Sequence, residues 1–167
     1  MERKILFLSI AAIVILLILF NLFFNKTNSQ NRVEIISYEK GIQKEIPSNL
    51  REFDVIQSSG ENVFTNSNGV LDLLVTKETI DKYKENFAIE IIYPQKKDFI
   101  INSTKPHEIT VKALLIAFTD SNAIIFYKVN DSYSSGPYIN TNENISSIKE
   151  TIQNITRGIK TERLTSD

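Results

Sequence analysis

The sequence predicts a small α+β domain carried behind one N-terminal transmembrane helix. Three observations lead there: an uncharged apolar run over residues 5–24, a series of short β-rich runs between Val33 and Val129, and two stretches with helical apolar spacing. The run reads ILFLSIAAIVILLILFNLFF, interrupted only by Ser9 and Asn21. At about 1.5 Å rise per residue, a helix of that length spans about 30 Å, the hydrocarbon thickness of a bilayer. Arg3, Lys4 and the α-amino group precede it against one acid, Glu2, which places the N-terminus in the cytoplasm and the rest outside. Lys26 and Arg32 beyond its other end make that bias slight. A cleaved signal peptide is the rival reading. Its apolar core is normally about 7–15 residues and ends at a small-x-small site. Here the core is longer, and Thr27-Asn28-Ser29 is a poor match. The sequence leaves open whether the segment is cleaved.

The expected organisation is a cytoplasmic tip at 1–4, the span at 5–24, a polar linker at 25–32, an extracytoplasmic α+β domain at 33–159 and a disordered tail at 160–167. About 135 residues remain after the linker, enough for one ordinary core and too few for two.

Each element of the domain has its own signal. Residues 33–38 and 42–46 read as strands, joined at Lys40-Gly41, with Pro47 closing the second. From Ser48 to Asn68 the pattern weakens. Leu50, Phe53, Val55 and Ile56 call for burial, while Ser58-Ser59-Gly60 and Asn66-Ser67-Asn68-Gly69 read as loops around Val63-Phe64. Residues 70–75 read as a strand. Thr76 then serves as N-cap to a helix at 77–85, with Ile80, Tyr83 and Phe87 at three-four spacing and Asn86 suited to a left-handed end. Alternation at 87–93 puts Phe87, Ile89, Ile91 and Tyr93 on one face of a strand that Pro94 closes; a turn at 95–98 and a short strand at 99–102 follow.

Residues 109–118 and 123–129 form the strongest strand pair, joined at 119–122. Ile109, Val111, Ala113 and Leu115 line one face of the first strand; Leu114, Ile116 and Phe118 line the other. Apolarity on both faces marks the centre of a sheet. After a polar loop at 130–140, Ile145, Ile148, Ile152 and Ile155 give an amphipathic helix capped by Thr141 or Asn142 and stopped by Gly158. The sum is a largely antiparallel sheet with about two packed helices.

The chemistry is mostly one of exclusions. Cysteine is absent, which removes disulfides, thiolate catalysis and a lipidated cysteine anchor. His107 is the only histidine, so metal sites built on several histidines are out; as the sole possible triad base it reads as a solvated loop residue. The five glycines form no phosphate loop, and the acids form no D-x-D-x-D-G cluster. No cofactor is called for. Basic residues never cluster beyond Lys96-Lys97, too little for a nucleic-acid footprint. Two S-x-x-K matches, at Ser37 and Ser146, lack the partner motifs S-D-N and K-T-G. Glu90 and Asp72, lone acids among apolar residues, read as polar positions on the solvent face or edge of a sheet.

The candidate recognition surface is the loop containing Tyr133, Ser134, Ser135, Gly136 and Tyr138. Tyrosine supplies rigid contact area, while Ser and Gly supply adaptable hydrogen bonding. The expected function is therefore a membrane-anchored extracytoplasmic module that binds an envelope protein or a small ligand. The alternatives are a small envelope enzyme using carboxylates such as Glu90 or Asp72, or a structural subunit of a membrane complex.

Overall fold

The computed structural model describes residues 15–16, 32–103 and 105–164, with side chains described through Ile159. The expected membrane span lies outside the described residues except for Ile15 and Leu16, which are helical and exposed. Among the described residues no helix is long and apolar enough to cross a membrane. The chain divides into two units, Met1–Arg32 and Val33–Asp167, and the second holds the domain.

That domain is α+β, built on one sheet of seven strands among the described residues, in the order β2-β1-β4-β5-β6-β7-β3 and antiparallel at every pairing. The strands are β1 (Glu34–Glu39), β2 (Ile42–Ile46), β3 (Gly69–Val70), β4 (Phe87–Ile101), β5 (His107–Phe118), β6 (Ala123–Lys128) and β7 (Tyr138–Asn140). The helices are α1 (Phe53–Thr65), α2 (Lys77–Lys84) and α3 (Ile145–Leu164). As its two-sided apolarity requires, β5 is the central strand.

The β1–β2 hairpin turns through Lys40 and Gly41, both at positive φ (54° and 74°), so two left-handed residues carry the chain round as in a type I′ turn. Thr76 caps α2 as expected, accepting the Thr79 N–H at 3.2 Å. Asn86 is not left-handed: among the described non-glycine residues only Lys40 is.

Five elements differ from expectation. Residues 53–65 form a helix rather than loops. Phe53, Ile56, Gly60, Val63 and Phe64 make its buried face, so Gly60 is a core position and not a breaker. A Cβ at Gly60 would lie 2.7 Å from Ile91 Cδ1 and 3.1 Å from Ile116 Cδ1, so the missing side chain is what lets α1 reach the sheet. Val55, expected inside, is exposed.

Pro94 does not end its strand. β4 runs through it, and Tyr93 to Lys96 bulge where β5 contributes only Lys112, whose ammonium donates to the Pro94 carbonyl at 2.7 Å. The same irregularity brings Val111 into one cluster with Leu114 and Ile116, not onto the face of Leu115.

The expected strand at 70–75 pairs only through Val70. Its last ladder-like bond runs from the Leu71 N–H to the Pro137 carbonyl, 2.8 Å, and residues 71–76 continue outside any strand. The expected loop at 130–140 ends in β7. Finally, α3 starts after Asn144, beyond the expected caps, and passes Gly158 to reach Leu164. Residues 165–167 lie outside the described residues.

The sheet is covered on both faces. One side carries the larger core, in which Phe53, Ile56, Val63 and Phe64 of α1 and Ile145, Ile152 and Ile159 of α3 meet Ile35, Ile89, Ile91, Leu114, Ile116 and Ile125. The other carries a smaller cluster of Tyr38, Ala88, Leu115, Ala117, Ile124 and Phe126 beneath Ile80 and Tyr83 of α2 and Leu71, Leu73 and Val75.

Candidate functional site

Glu90 lies mid-strand in β4, on the face that the smaller cluster covers, and is 3 % exposed. It is thus neither at an edge nor on a solvent face, correcting the sequence expectation. The alternation was sound, but that face is buried as well, so the carboxylate needs partners. Four donors supply them. Oε2 accepts from the Tyr38 hydroxyl and the Lys84 ammonium, both at 2.8 Å. Oε1 accepts from the Tyr133 hydroxyl at 2.7 Å and the Lys128 ammonium at 3.0 Å. Each ammonium also rests over a tyrosine ring: Lys84 over Tyr38 at 4.3 Å and Lys128 over Tyr133 at 4.4 Å. Five segments therefore converge on one carboxylate: β1, α2, β4, β6 and the loop after β6.

Burial alone pushes the Glu90 carboxyl up. Hydrogen bonds from Lys84 and Tyr133, the Lys84 charge and the Tyr38 hydrogen bond outweigh it and hold the group at about 2. Tyr38 and Tyr133 move the other way, raised first by burial and then by the Glu90 charge. A carboxylate that stays ionised to about pH 2 and whose lone pairs are filled has no proton to exchange at neutral pH. Asp72, the other candidate acid, is exposed on the segment after β3.

The loop expected to serve recognition is held apart by its own tyrosines. Tyr133 turns toward Glu90 and meets Phe126 edge-on at 6.2 Å, within the smaller cluster. Tyr138 is buried in the larger core on the opposite face, against Phe64 at 5.7 Å and Tyr127 at 5.8 Å. The two rings thus do not form one contact surface. Between them Gly136 adopts φ +73°, Ser134 is half-buried with its N–H donating to the Tyr127 carbonyl at 2.9 Å, and Ser135 is exposed together with Asp131 and Ser132.

His107 is exposed but not free. Its Nδ1 lies 3.1 Å from the Lys105 carbonyl and its Nε2 2.7 Å from the Tyr138 hydroxyl. Nδ1 must carry the hydrogen toward the carbonyl, so in the neutral ring Nε2 accepts from Tyr138. Among the described residues no group of three or more acids and histidines could hold a metal ion.

A groove of about 440 Å³ opens at the other end of the sheet from Val33, where the chain enters the domain. The β1–β2 turn, the residues after α2 and the β5–β6 turn wall it on one side, and Lys149, Gln153 and Arg157 line up along α3 on the other. Its charges are mixed. Arg157 pairs with Glu39 at 2.7 Å, and Lys149 donates to the Thr119 carbonyl at 3.0 Å and faces Asp120 at 3.6 Å. Neither Glu90 nor Asp72 lines it. Sequence reading missed the groove because its walls come from four separate turns and helix faces. The i, i+4, i+8 spacing of Lys149, Gln153 and Arg157 was the one visible trace. Comparison with protein-family models, with curated proteins and with solved structures returned no match.

Proposed function

We propose that the chain is a single-pass membrane protein with residues 5–24 as its anchor and its N-terminus in the cytoplasm. It displays residues 33–164 outside as a binding module that takes a partner protein or small ligand in the groove beside α3. The groove is the observation that carries this reading: it lies at the end of the sheet opposite Val33 and presents donors and acceptors of both charges. The exposed tip of the loop at Asp131, Ser132 and Ser135 is the second contact surface, preset by the anchored Tyr133 and Tyr138. Support for a carboxylate enzyme is weaker, because Glu90 is sealed by its donors and shares no groove with Asp72.

Single-cysteine variants test location and site together, since the chain has no cysteine of its own. Ser135→Cys and Gln153→Cys would be treated with a membrane-impermeant maleimide, in intact cells or spheroplasts and as purified chain. The expected result is labelling of both from outside, with Gln153→Cys slowed in cells relative to the purified chain and Ser135→Cys unchanged. Labelling only after lysis overturns the location. Equal rates in cells and in vitro at both positions overturn the groove, and slowing at Ser135→Cys alone moves the contact to the loop.

A further inference from the structure

Helix α2 is the most lightly attached of the three. With eight residues it is too short to persist on its own, since helices below about 12 residues are marginal in water. It must be held by what it touches, and that is little: Ile80 is its only buried residue, and the Tyr83 ring packs on Phe126 at 5.0 Å. By comparison α1 buries five residues, and Ile145, Ile152 and Ile159 fix α3. The chain leading into α2 packs Leu71, Leu73 and Val75 on the smaller cluster, but none of the three is fully buried. Residues 71–76 belong to no strand, and Leu74 is 78 % exposed. What remains is Lys84, in the last turn of α2, which bonds Glu90 Oε2 at 2.8 Å and the Tyr38 hydroxyl at 3.0 Å. It is the only α2 side chain in an ion pair with the sheet among the described residues.

We infer that α2, together with residues 71–76, opens as a unit separate from the rest of the domain, and that the Lys84–Glu90 ion pair is its latch. Local opening draws on segments with few buried apolar contacts, and of the three helices α2 fully buries the fewest side chains. The carboxylate tolerates the release: Tyr38, Lys128 and Tyr133 come from outside α2 and stay in place. Opening uncovers Ala88, Leu115, Ala117, Ile124 and Phe126. It also shifts Glu85 and Asn86, which follow α2 directly and wall the groove, so the latch sets the shape of that wall.

Hydrogen exchange of the full chain in detergent micelles, read by mass spectrometry, tests this. In the unmodified chain residues 77–85 should exchange well before 113–118 and 123–128. Lys84→Met keeps the stem and removes the charge, and should speed exchange at 77–85 by about tenfold or more while leaving 113–118 unchanged, as expected for losing a hydrogen bond to a charged group. Lys128→Met removes the same charge from the same carboxylate but from β6, and should not open α2 selectively. Equal protection of 77–85 and 113–118 in the unmodified chain overturns the inference without any variant. So does Lys84→Met having no effect at 77–85. If Lys128→Met speeds 77–85 as much as Lys84→Met does, the effect is lost charge balance at Glu90 and the latch is refuted.

Discussion

Taking a carboxylate out of water costs several kcal/mol unless its charge is matched, and a buried ion pair roughly breaks even against an apolar replacement. The value of Glu90 to this fold is therefore registration rather than bulk stability: four donors on four segments can meet one carboxylate in only one arrangement. The electrostatic consequence has a definite sign. The folded carboxyl titrates at about 2 against 4.5 in the unfolded chain, so as pH falls the unfolded state takes up the proton first. The stabilisation is whole above about pH 4.5 and gone below about 2, and a shift of this size corresponds to roughly 3 kcal/mol. Tyr133→Phe removes the donor at 2.7 Å. It should cost about 1–3 kcal/mol at pH 7, the usual range for a hydrogen bond to a charged group, and raise the folded carboxyl value. Urea midpoints of the two proteins should converge between pH 5 and 2.5, because the variant has less to lose. Parallel profiles would mean that another group governs acid unfolding.

Two glycines inside helices make opposite demands at the scale of elements. Gly60 in α1 faces the sheet, where a Cβ would press on the δ-methyls of Ile89, Ile91 and Ile116, all fully buried. Gly158 in α3 has nothing within 4 Å. Replacing a helical glycine by alanine gains about 1 kcal/mol of helix propensity, while overfilling a tight core costs about 1–3 kcal/mol. Gly158→Ala should therefore raise the urea midpoint, and Gly60→Ala should lower it despite the propensity gain. A stabilised Gly60→Ala would mean the three isoleucines can repack, and that close approach is not what the glycine serves. The same residue explains what was hard to read from sequence. In Ser58-Ser59-Gly60 only composition was visible, and a breaker and a contact point share that composition. Phe53, Ile56, Val63 and Phe64 already stood at helical spacing once Gly60 is counted as apolar. Pro94 misled in the same way: a proline ends a strand unless a bulge relieves the ladder, and the bulge depends on β5, which lies beyond it in the chain. The hairpin at Lys40-Gly41, the cap at Thr76 and the central place of β5 were legible because each is fixed by local chemistry or by two-sided apolarity. The Glu90 clamp and the groove were not, because their members are brought together only by the order of strands.

The second face of the sheet decides the character of the whole domain. An antiparallel sheet often leaves one face to water. Here both faces are covered, and the apolar residues of β5 are divided between two clusters of unequal size, Leu114, Ile116 and Phe118 in the larger and Leu115 and Ala117 in the smaller. No buried polar side-chain atom among the described residues lacks a hydrogen-bond partner. Among the described residues, both clusters are built entirely from Val33 on. With residues 5–24 as the proposed anchor, attachment and folding are separable. A chain beginning at Arg32 should be recovered free of membranes, with the far-ultraviolet spectrum of an α+β protein and one cooperative urea transition. The full chain should stay with the membrane fraction through a high-salt wash, since a span of this length is held by apolar burial and not by charge. Recovery of the shortened chain with membranes would place the attachment in the domain itself. Failure of the shortened chain to unfold cooperatively would show that residues 1–31 contribute to the core.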